Sequence, residues 1–207
     1  GFCLDSTDSA VVKNYYSAMV PPGEPPAHEL ECIRMEGHSG RIEAIAVHPE
    51  GKWLASGAHD FNIFLWKLED GYPALIPGRK EIDIPIIRPT KRIEAHSGHI
   101  MDLQFSSMTN AGVYLASCGN DHAVKVWKVT APRFGSTYNI NEVWSASSDA
   151  AGAHSSAVSN VAWGKKDSST TLFSCGWDHS IKVWTAHSNA REGGEVSPID
   201  TLLGHKA

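Results

Sequence analysis

Short runs of alternating apolar and polar residues recur along the chain, and they predict β-strands. An apolar period of two is typical of a strand that buries one face. First strands begin at Ile42, Ile100 and Val158, and each continues with two more apolar residues: Ile45 and Val47, Leu103 and Phe105, or Val161 and Trp163. Second strands are predicted at 53–56, 114–118 and 171–175, third strands at 62–66, 123–127 and 180–184, and fourth strands at 30–35, 91–94, 142–146 and 199–203.

Four polar or aromatic residues repeat in register with these strands. His38, His96 and His154 lie 58 residues apart, and in each repeat a Ser precedes an Asp by four residues and a Trp follows that Asp by six. The sets are His38, Ser56, Asp60 and Trp66; His96, Ser117, Asp121 and Trp127; and His154, Ser174, Asp178 and Trp184. Four short antiparallel strands in each repeat predict an all-β fold, a β-propeller built of four-stranded blades.

These residues resemble the WD-repeat β-propeller family. The resemblance covers roughly residues 30–207. It departs from the family pattern where Lys67, Lys128 and Thr185 follow the Trp in place of Asp. It implies one propeller domain with repeats at 37–94, 95–152 and 153–203 and the start of another at 204–207. Residues 1–36 are interpreted as a degenerate partial blade, with a frayed N-terminal segment as the alternative.

The number of predicted strands corresponds to about 3.75 blades, whereas propellers have roughly four to eight and those of this family usually seven. We therefore expect an incomplete ring, a piece of a larger propeller whose open edges the remaining blades would cover.

The Ser, His and Asp of each set have the residue types of a hydrolase triad. No nucleophile-elbow motif accompanies them, and three active sites in one small chain would be unusual. The resemblance implies instead that the His, Ser, Asp and Trp of each repeat form a structural hydrogen-bonded set inside a blade. We therefore expect no catalytic residue, and a hydrolase is the weaker hypothesis.

Eleven histidines raise the question of a metal site. His96 and His99 are spaced like ligands, but no Cys-x-x-Cys motif or acidic partner completes a site. We expect no metal, no cofactor and no small-molecule substrate.

The resemblance also implies that a narrow top face binds peptides. In the family this face is lined by the residue before the turn Asp and by the residues on either side of the first apolar residue of the first strand. Here those positions are His59, Asn120 and Trp177, then Arg41, His99 and Ala157, then Glu43, Met101 and Ser159. Trp177 is the strongest candidate, because large rigid aromatic side chains concentrate binding energy. The alternative is that Trp177 packs over the edge of its own blade.

Composition narrows the class of partner. The chain of 207 residues is 42% hydrophobic and 20% charged, values typical of a globular protein. Its formal net charge of −5 and the absence of a basic block argue against nucleic acid and against an anionic membrane. Four cysteines are too few for a disulfide scaffold, and free thiols favour a reducing intracellular compartment, cytoplasmic or nuclear.

Together these observations predict a non-enzymatic scaffold for protein–protein interaction, whose top face and loops bind peptide or domain partners. The alternative is a substrate-recognition module of a larger enzyme assembly, such as a ubiquitin ligase.

Overall fold

Residues 34–68, 86–108, 112–130, 138–164, 171–185, 194–195 and 198–204 are described in the computed structural model. Every regular element in these ranges is a β-strand, and none of them contains a helix that is long and apolar enough to cross a membrane. The chain divides into two compact units, residues 1–34 with 71–86 and residues 35–70 with 87–207. The three large sheets belong to the second unit. The partial blade predicted for residues 1–36 lies almost entirely outside the described residues.

Fifteen strands make up the described structure. In chain order they are β1 (Arg34–Met35), β2 (Ile42–Val47), β3 (Trp53–Ala58), β4 (Asn62–Lys67), β5 (Ile86–Ile87), β6 (Lys91–Glu94), β7 (Ile100–Phe105), β8 (Val113–Gly119), β9 (Val124–Thr130), β10 (Asn139–Ala146), β11 (Val158–Trp163), β12 (Thr171–Gly176), β13 (Ser180–Thr185), β14 (Gly194–Glu195) and β15 (Asp200–Leu203). The two short strands β1 and β5 pair with each other.

Twelve of the other strands form three antiparallel sheets with the order expected of propeller blades. Blade 1 is β2-β3-β4-β6, blade 2 is β7-β8-β9-β10, and blade 3 is β11-β12-β13-β15. In each blade the outer strand comes from the segment that leads into the next repeat. The predicted all-β fold of propeller blades is thereby confirmed.

Blade 2 departs from the expectation of four strands, because β14 adds a fifth. Trp144 and Ser145 of β10 pair in parallel with Gly194 and Glu195. An outer strand exposes unpaired backbone N–H and C=O groups, and a short passing segment satisfies some of them. This pairing joins residues distant in sequence and has no local pattern, so the repeat could not predict it.

Each first strand contains a bulge at the same place. The register shifts between Ile42 and Ala44 in β2, between Ile100 and Asp102 in β7, and at the equivalent step in β11. A bulge inserts one extra residue on one strand. It therefore explains why the first two apolar positions of each first strand are three residues apart, although the period is otherwise two.

Two hydrophobic cores lie between consecutive blades. The first joins residues of blade 1, such as Leu65, with residues of blade 2, such as Ile100 and Leu115. The second joins residues of blade 2, such as Val126, with residues of blade 3, such as Leu172. Each blade is thus stabilised by burial against its neighbour, at about 25 cal/mol for each Å² of apolar surface removed from water.

Gly57 allows the close approach of blades 1 and 2. A Cβ atom on Gly57 would lie 2.5 Å from a methyl carbon of Ile100, so any side chain there would push the two sheets apart. The same position is Cys118 in blade 2 and Cys175 in blade 3.

Blades 2 and 3 are also linked by polar contacts between their first strands. A carboxylate oxygen of Asp102 accepts a hydrogen bond from the backbone N–H of Val161 at 3.0 Å. The side-chain oxygen Oε1 of Gln104 accepts a hydrogen bond from the backbone N–H of Trp163. The backbone carbonyl of Gln104 accepts another from the indole N–H of Trp163. These bonds fix the register of one blade against the next.

The first strand of blade 1 differs from its equivalents in burial. Ile42, Ile45 and Val47 are 47%, 65% and 55% exposed, whereas Ile100 and Val158 are fully buried. Ile100 and Val158 pack against the preceding blade.

Candidate functional site

The structure brings the four residues of each repeated set together. In blade 1 the indole N–H of Trp66 donates to Ser56 Oγ at 2.8 Å, Ser56 Oγ lies 2.7 Å from His38 Nε2, and His38 Nδ1 lies 2.9 Å from the Asp60 carboxylate. The same chain of contacts runs through the sets of His96, Ser117, Asp121 and Trp127 and of His154, Ser174, Asp178 and Trp184, with distances between 2.8 and 3.0 Å.

The chemistry of the partners assigns the protons. An ionised Asp can only accept, so the Nδ1–H of the His donates to it, and Nε2 then accepts from the Ser hydroxyl. The Ser oxygen in turn accepts from the Trp, which can only donate. Each set is satisfied with a neutral His, and the Asp also accepts the backbone N–H of the residue after that His, which is Ser39, Ser97 or Ser155.

The Ser–His–Asp connectivity matches that of a hydrolase triad, but the Ser hydroxyls are enclosed. Ser56, Ser117 and Ser174 are 2%, 0% and 2% exposed, and each oxygen is held by a Trp N–H as well as by the His. A nucleophile must reach a substrate carbonyl carbon at close range. A buried hydroxyl that already contacts two protein groups lacks that access, so the geometry argues against a hydrolase.

The hydrogen bonds keep the Asp carboxyls ionised. Burial alone raises the pKa of Asp178, but hydrogen bonds from Ser180 and His154 outweigh it and lower the pKa to about 2. Burial also raises the pKa values of Asp60 and Asp121, but hydrogen bonds from His38 and His96 outweigh it and hold both values below the ordinary Asp value. Burial lowers the pKa of His154, although the neighbouring Asp178 carboxylate attracts a proton to it. In the set of His154 and Asp178 the Asp is therefore ionised and the His neutral.

These shifts predict a loss of stability in acid. Burial lowers the pKa of His154 below 6.5, so the unfolded chain binds more protons than the folded chain as the pH falls through that value. His48, buried between blades 1 and 2, acts in the same direction, because desolvation lowers its pKa against the attraction of Glu50. We expect the free energy of unfolding in urea to be lower at about pH 5.5 than at about pH 7.5. An equal or higher value in acid would contradict this assignment.

The depressed pKa values of the Asp carboxyls add a second loss at lower pH. Their stabilising contribution is complete above the unfolded value of 3.8 and disappears as the pH falls toward about 2 for Asp178.

The loops beside these sets form one end of the blades, which we call the top face. It consists of residues 36–41, 58–61, 95–99, 119–123, 147–157 and 176–179 together with Glu43, Met101 and Ser159. Its loops are held in pairs by backbone hydrogen bonds. His59 donates to the carbonyl of Arg41, Asn120 to that of His99, and Trp177 to that of Ala157, at 2.8 to 2.9 Å.

The structure places the nine predicted top-face residues in different environments. Trp177 is 65% exposed and Asn120 is also exposed. Met101 packs against the core between blades 2 and 3, and the half-buried Ser159 donates to the carbonyl of Cys175. Ala157 departs from the prediction that it lines the top face, because it is only 4% exposed. Its backbone carbonyl accepts the N–H of Trp177, and its side chain is not available to a partner.

Four of the nine meet where blade 1 adjoins blade 2. The rings of His59 and His99 are stacked, with centroids 4.0 Å apart and an angle of 5°. Arg41 and Glu43 form an ion pair at 2.9 Å, and His59 Nε2 lies 3.6 Å from the same carboxylate. The sequence predicted each residue separately, and the structure joins them into one cluster.

Phe61 belongs to this cluster, and the sequence analysis missed it. Its ring stacks on His99 with centroids 5.7 Å apart, and it is 40% exposed. Its φ of 69° lies in the left-handed region, as do those of the equivalent His122 and His179. A bulky residue at such a φ is uncommon. The signal in the sequence that could have indicated Phe61 as a surface residue was an apolar side chain directly after the turn Asp.

In the described part of the chain, no group of three His, Cys, Asp or Glu residues is arranged to hold a metal ion.

Comparison with known proteins identifies the repeats. The model of the WD40 family, described as "WD domain, G-beta repeat", matches residues 30–67, 87–128 and 143–185, which is more than half of the chain. The chain belongs to the WD-repeat family. Each match ends one residue after the Trp of one hydrogen-bonded set. The second and third matches therefore combine the outer strand of one blade with the first three strands of the next.

Several WD-repeat relatives are similar over part of their length. Protein HIRA of Gallus gallus is 29% identical over 72% of this chain, and Protein HIR1 of Kluyveromyces lactis is 30% identical over 45% of it. Nuclear distribution protein PAC1 of Arthroderma otae is 26% identical over 90% of the chain. These alignments cover 15%, 10% and 33% of the relatives, so the chain spans a third of their length or less.

A solved structure shows the same fold. The chain in the structure of U3-55K aligns with 83% of this WD-repeat chain and with 42% of its own length, at a TM-score of 0.55 and 22% identity.

Proposed function

We propose that this WD-repeat chain is a non-enzymatic scaffold that binds protein or peptide segments through its top face. The observation that carries the proposal is the combination of exposed side chains and a fixed backbone at one end of the blades. The side chain of Arg41 is 72% exposed, and Trp177 as a whole residue is 65% exposed. Both residues lie on loops that are held by backbone hydrogen bonds.

Rigidity matters because binding costs less when the contacting groups are already ordered. The buried His–Ser–Asp–Trp sets anchor the loops on one side, since each Asp accepts a backbone N–H from the loop that carries its His. We infer that these sets are structural and that they hold the top face in one conformation.

The charge of the chain favours protein partners. A formal net charge of −5 repels polyanions such as nucleic acid and anionic membranes. A reducing intracellular compartment, cytoplasmic or nuclear, fits the free Cys118 and Cys175.

Partner capture with matched variants tests the proposal. The parent chain is immobilised beside a variant that combines His59→Ala, Asn120→Ala and Trp177→Ala, and the proteins recovered from cell extract are quantified by mass spectrometry. Because exposed aromatic anchors carry much of the binding energy, we expect specific partners to fall about tenfold or more in the variant. The control variant combines Lys52→Ala with Met108→Ala, both exposed on loops at the opposite end of the blades.

If the top-face variant stays folded and still retains every partner of the parent, the proposed binding face is wrong. Recovery of ubiquitin-ligase subunits with the parent would favour the alternative role in an enzyme assembly.

A further inference from the structure

The outer strand of blade 3, β15, has an open edge. In the described part of the chain it is the last strand of its sheet, beside β13, and all four of its residues are exposed. Leu202 and Leu203 are 47% and 79% exposed, and Ile199, directly before the strand, is 63% exposed. An edge strand presents backbone N–H and C=O groups to solvent, and exposed apolar side chains on it favour pairing with another strand.

The other two outer strands close their edges in different ways. Three of the four residues of β6 in blade 1 are charged, and charged side chains on an edge strand discourage pairing. β10 of blade 2 is paired instead, because Trp144 and Ser145 lie beside β14 in a parallel ladder. An outer strand of this protein therefore accepts a short extended segment, and β15 lacks the charges that guard β6.

The backbone of β15 directs an N–H away from its own sheet. In blade 1 the N–H of Ala95 donates to the carbonyl of Phe61 at the end of the ladder between β6 and β4. Since successive N–H groups along a strand point to opposite sides, that of Arg92 points outward. Thr201 has the same register position in blade 3. Its N–H donates to the carboxylate of Asp200 at 2.7 Å, so an exposed side chain takes the place that a neighbouring strand would fill.

We propose that the outer edge of β15 binds an extended segment of a partner protein as an added strand. The segment pairs with the outward N–H and C=O groups of Thr201 and Leu203, as β14 pairs with β10. In this mode of recognition the main chain provides affinity and alternate side chains provide specificity. Uncharged, β-branched side chains fit best, because they pack beside Leu202 on one face of the sheet and Leu203 on the other. This edge shares no residue with the top face, so the inference goes beyond the proposed function.

Nuclear magnetic resonance on the isotope-labelled chain of 207 residues measures the binding of a probe peptide. The probe is a short capped peptide of alternating threonine and valine, N-methylated at each threonine. The methyl groups block one edge of the peptide and prevent it from pairing with itself, while the other edge stays free. We expect the amide signals of Thr201 and Leu203 to shift on binding, and hydrogen exchange at the Leu203 amide to slow. The control peptide has the same side chains with every residue N-methylated, and it should bind about tenfold more weakly or less, because it has no backbone donor.

Substitutions locate the binding at this edge. Thr201→Pro removes the outward N–H and keeps the ladder to β13, because an edge strand tolerates proline where its N–H would face solvent. Affinity for the probe should fall about threefold to tenfold, which corresponds to about one hydrogen bond. The matched control is Arg92→Pro, the same change at the equivalent position of β6, which should leave the affinity unchanged. Leu203→Lys gives β15 a charged edge like that of β6 and should weaken binding about threefold or more. Thermal unfolding verifies that each variant is folded.

Three results would overturn the inference: no binding of the probe, equal binding of the fully methylated peptide, or unchanged affinity in Thr201→Pro. Slow hydrogen exchange at the Leu203 amide before peptide is added would also overturn it, because the edge would then already be occupied. Sedimentation velocity shows whether a second copy of the chain is that occupant. None of these results affects the proposed top face, whose test uses other residues.

Discussion

Replacing Ser117 by Ala should lower the free energy of unfolding by about 2 to 4 kcal/mol. Ser117 is fully buried, its oxygen accepts the indole N–H of Trp127 at 2.9 Å, and it lies 2.8 Å from His96 Nε2. Alanine removes one oxygen and leaves two buried polar groups without their partner. Each stranded group costs about 1 to 3 kcal/mol, because it is desolvated without a compensating hydrogen bond.

Urea unfolding followed by tryptophan fluorescence measures this effect. The matched control is Ser107→Ala, the same chemical change at an exposed serine in the same blade, which should stay within about 0.5 kcal/mol of the parent. The experiment also separates the structural interpretation of the set from the catalytic one. Removal of a catalytic nucleophile commonly leaves stability unchanged or raises it, since active sites are held at a cost to stability. A Ser117→Ala variant as stable as the parent would therefore contradict the structural role.

Repetition explains why so much of the fold could be predicted. His38, Ser56, Asp60 and Trp66 recur twice more at nearly constant spacing, and chance does not place four residue types in register three times. Their chemistry then leaves little choice of partner, because Trp only donates and an ionised Asp only accepts. The strands follow from the same repeats. β6, for example, spans Lys91–Glu94 as predicted.

The same repetition hides what differs between repeats. Arg41 and Ala157 are equivalent in sequence, yet Arg41 is exposed at its side chain and Ala157 is buried. Phe61 and His122 are equivalent in sequence and share the left-handed turn. Only the structure shows that Phe61 also stacks on the ring of His99. Burial and stacking depend on the neighbouring blade, and comparison of repeats gives no information about that neighbour.

Trp184→Phe should destabilise the chain more than Trp144→Phe, by about 2 to 3 kcal/mol. The two tryptophans form a matched pair. Both are fully buried in the core between blades 2 and 3, and their ring centroids are 5.7 Å apart. Phenylalanine removes a similar volume at each position, so the cost of the smaller ring largely cancels in the comparison.

The difference comes from the indole N–H. That of Trp184 donates to Ser174 Oγ at 2.8 Å, so Trp184→Phe loses a hydrogen bond inside one of the repeated sets. That of Trp144 is buried and finds no partner among the described residues, so Trp144→Phe removes a donor that was desolvated without compensation. Truncation to Ala should cost about 3 to 5 kcal/mol at either position, because both then leave a cavity. Equal losses for the two Phe variants in urea unfolding would show that the bond to Ser174 contributes nothing to stability, and that the repeated sets are held by packing alone.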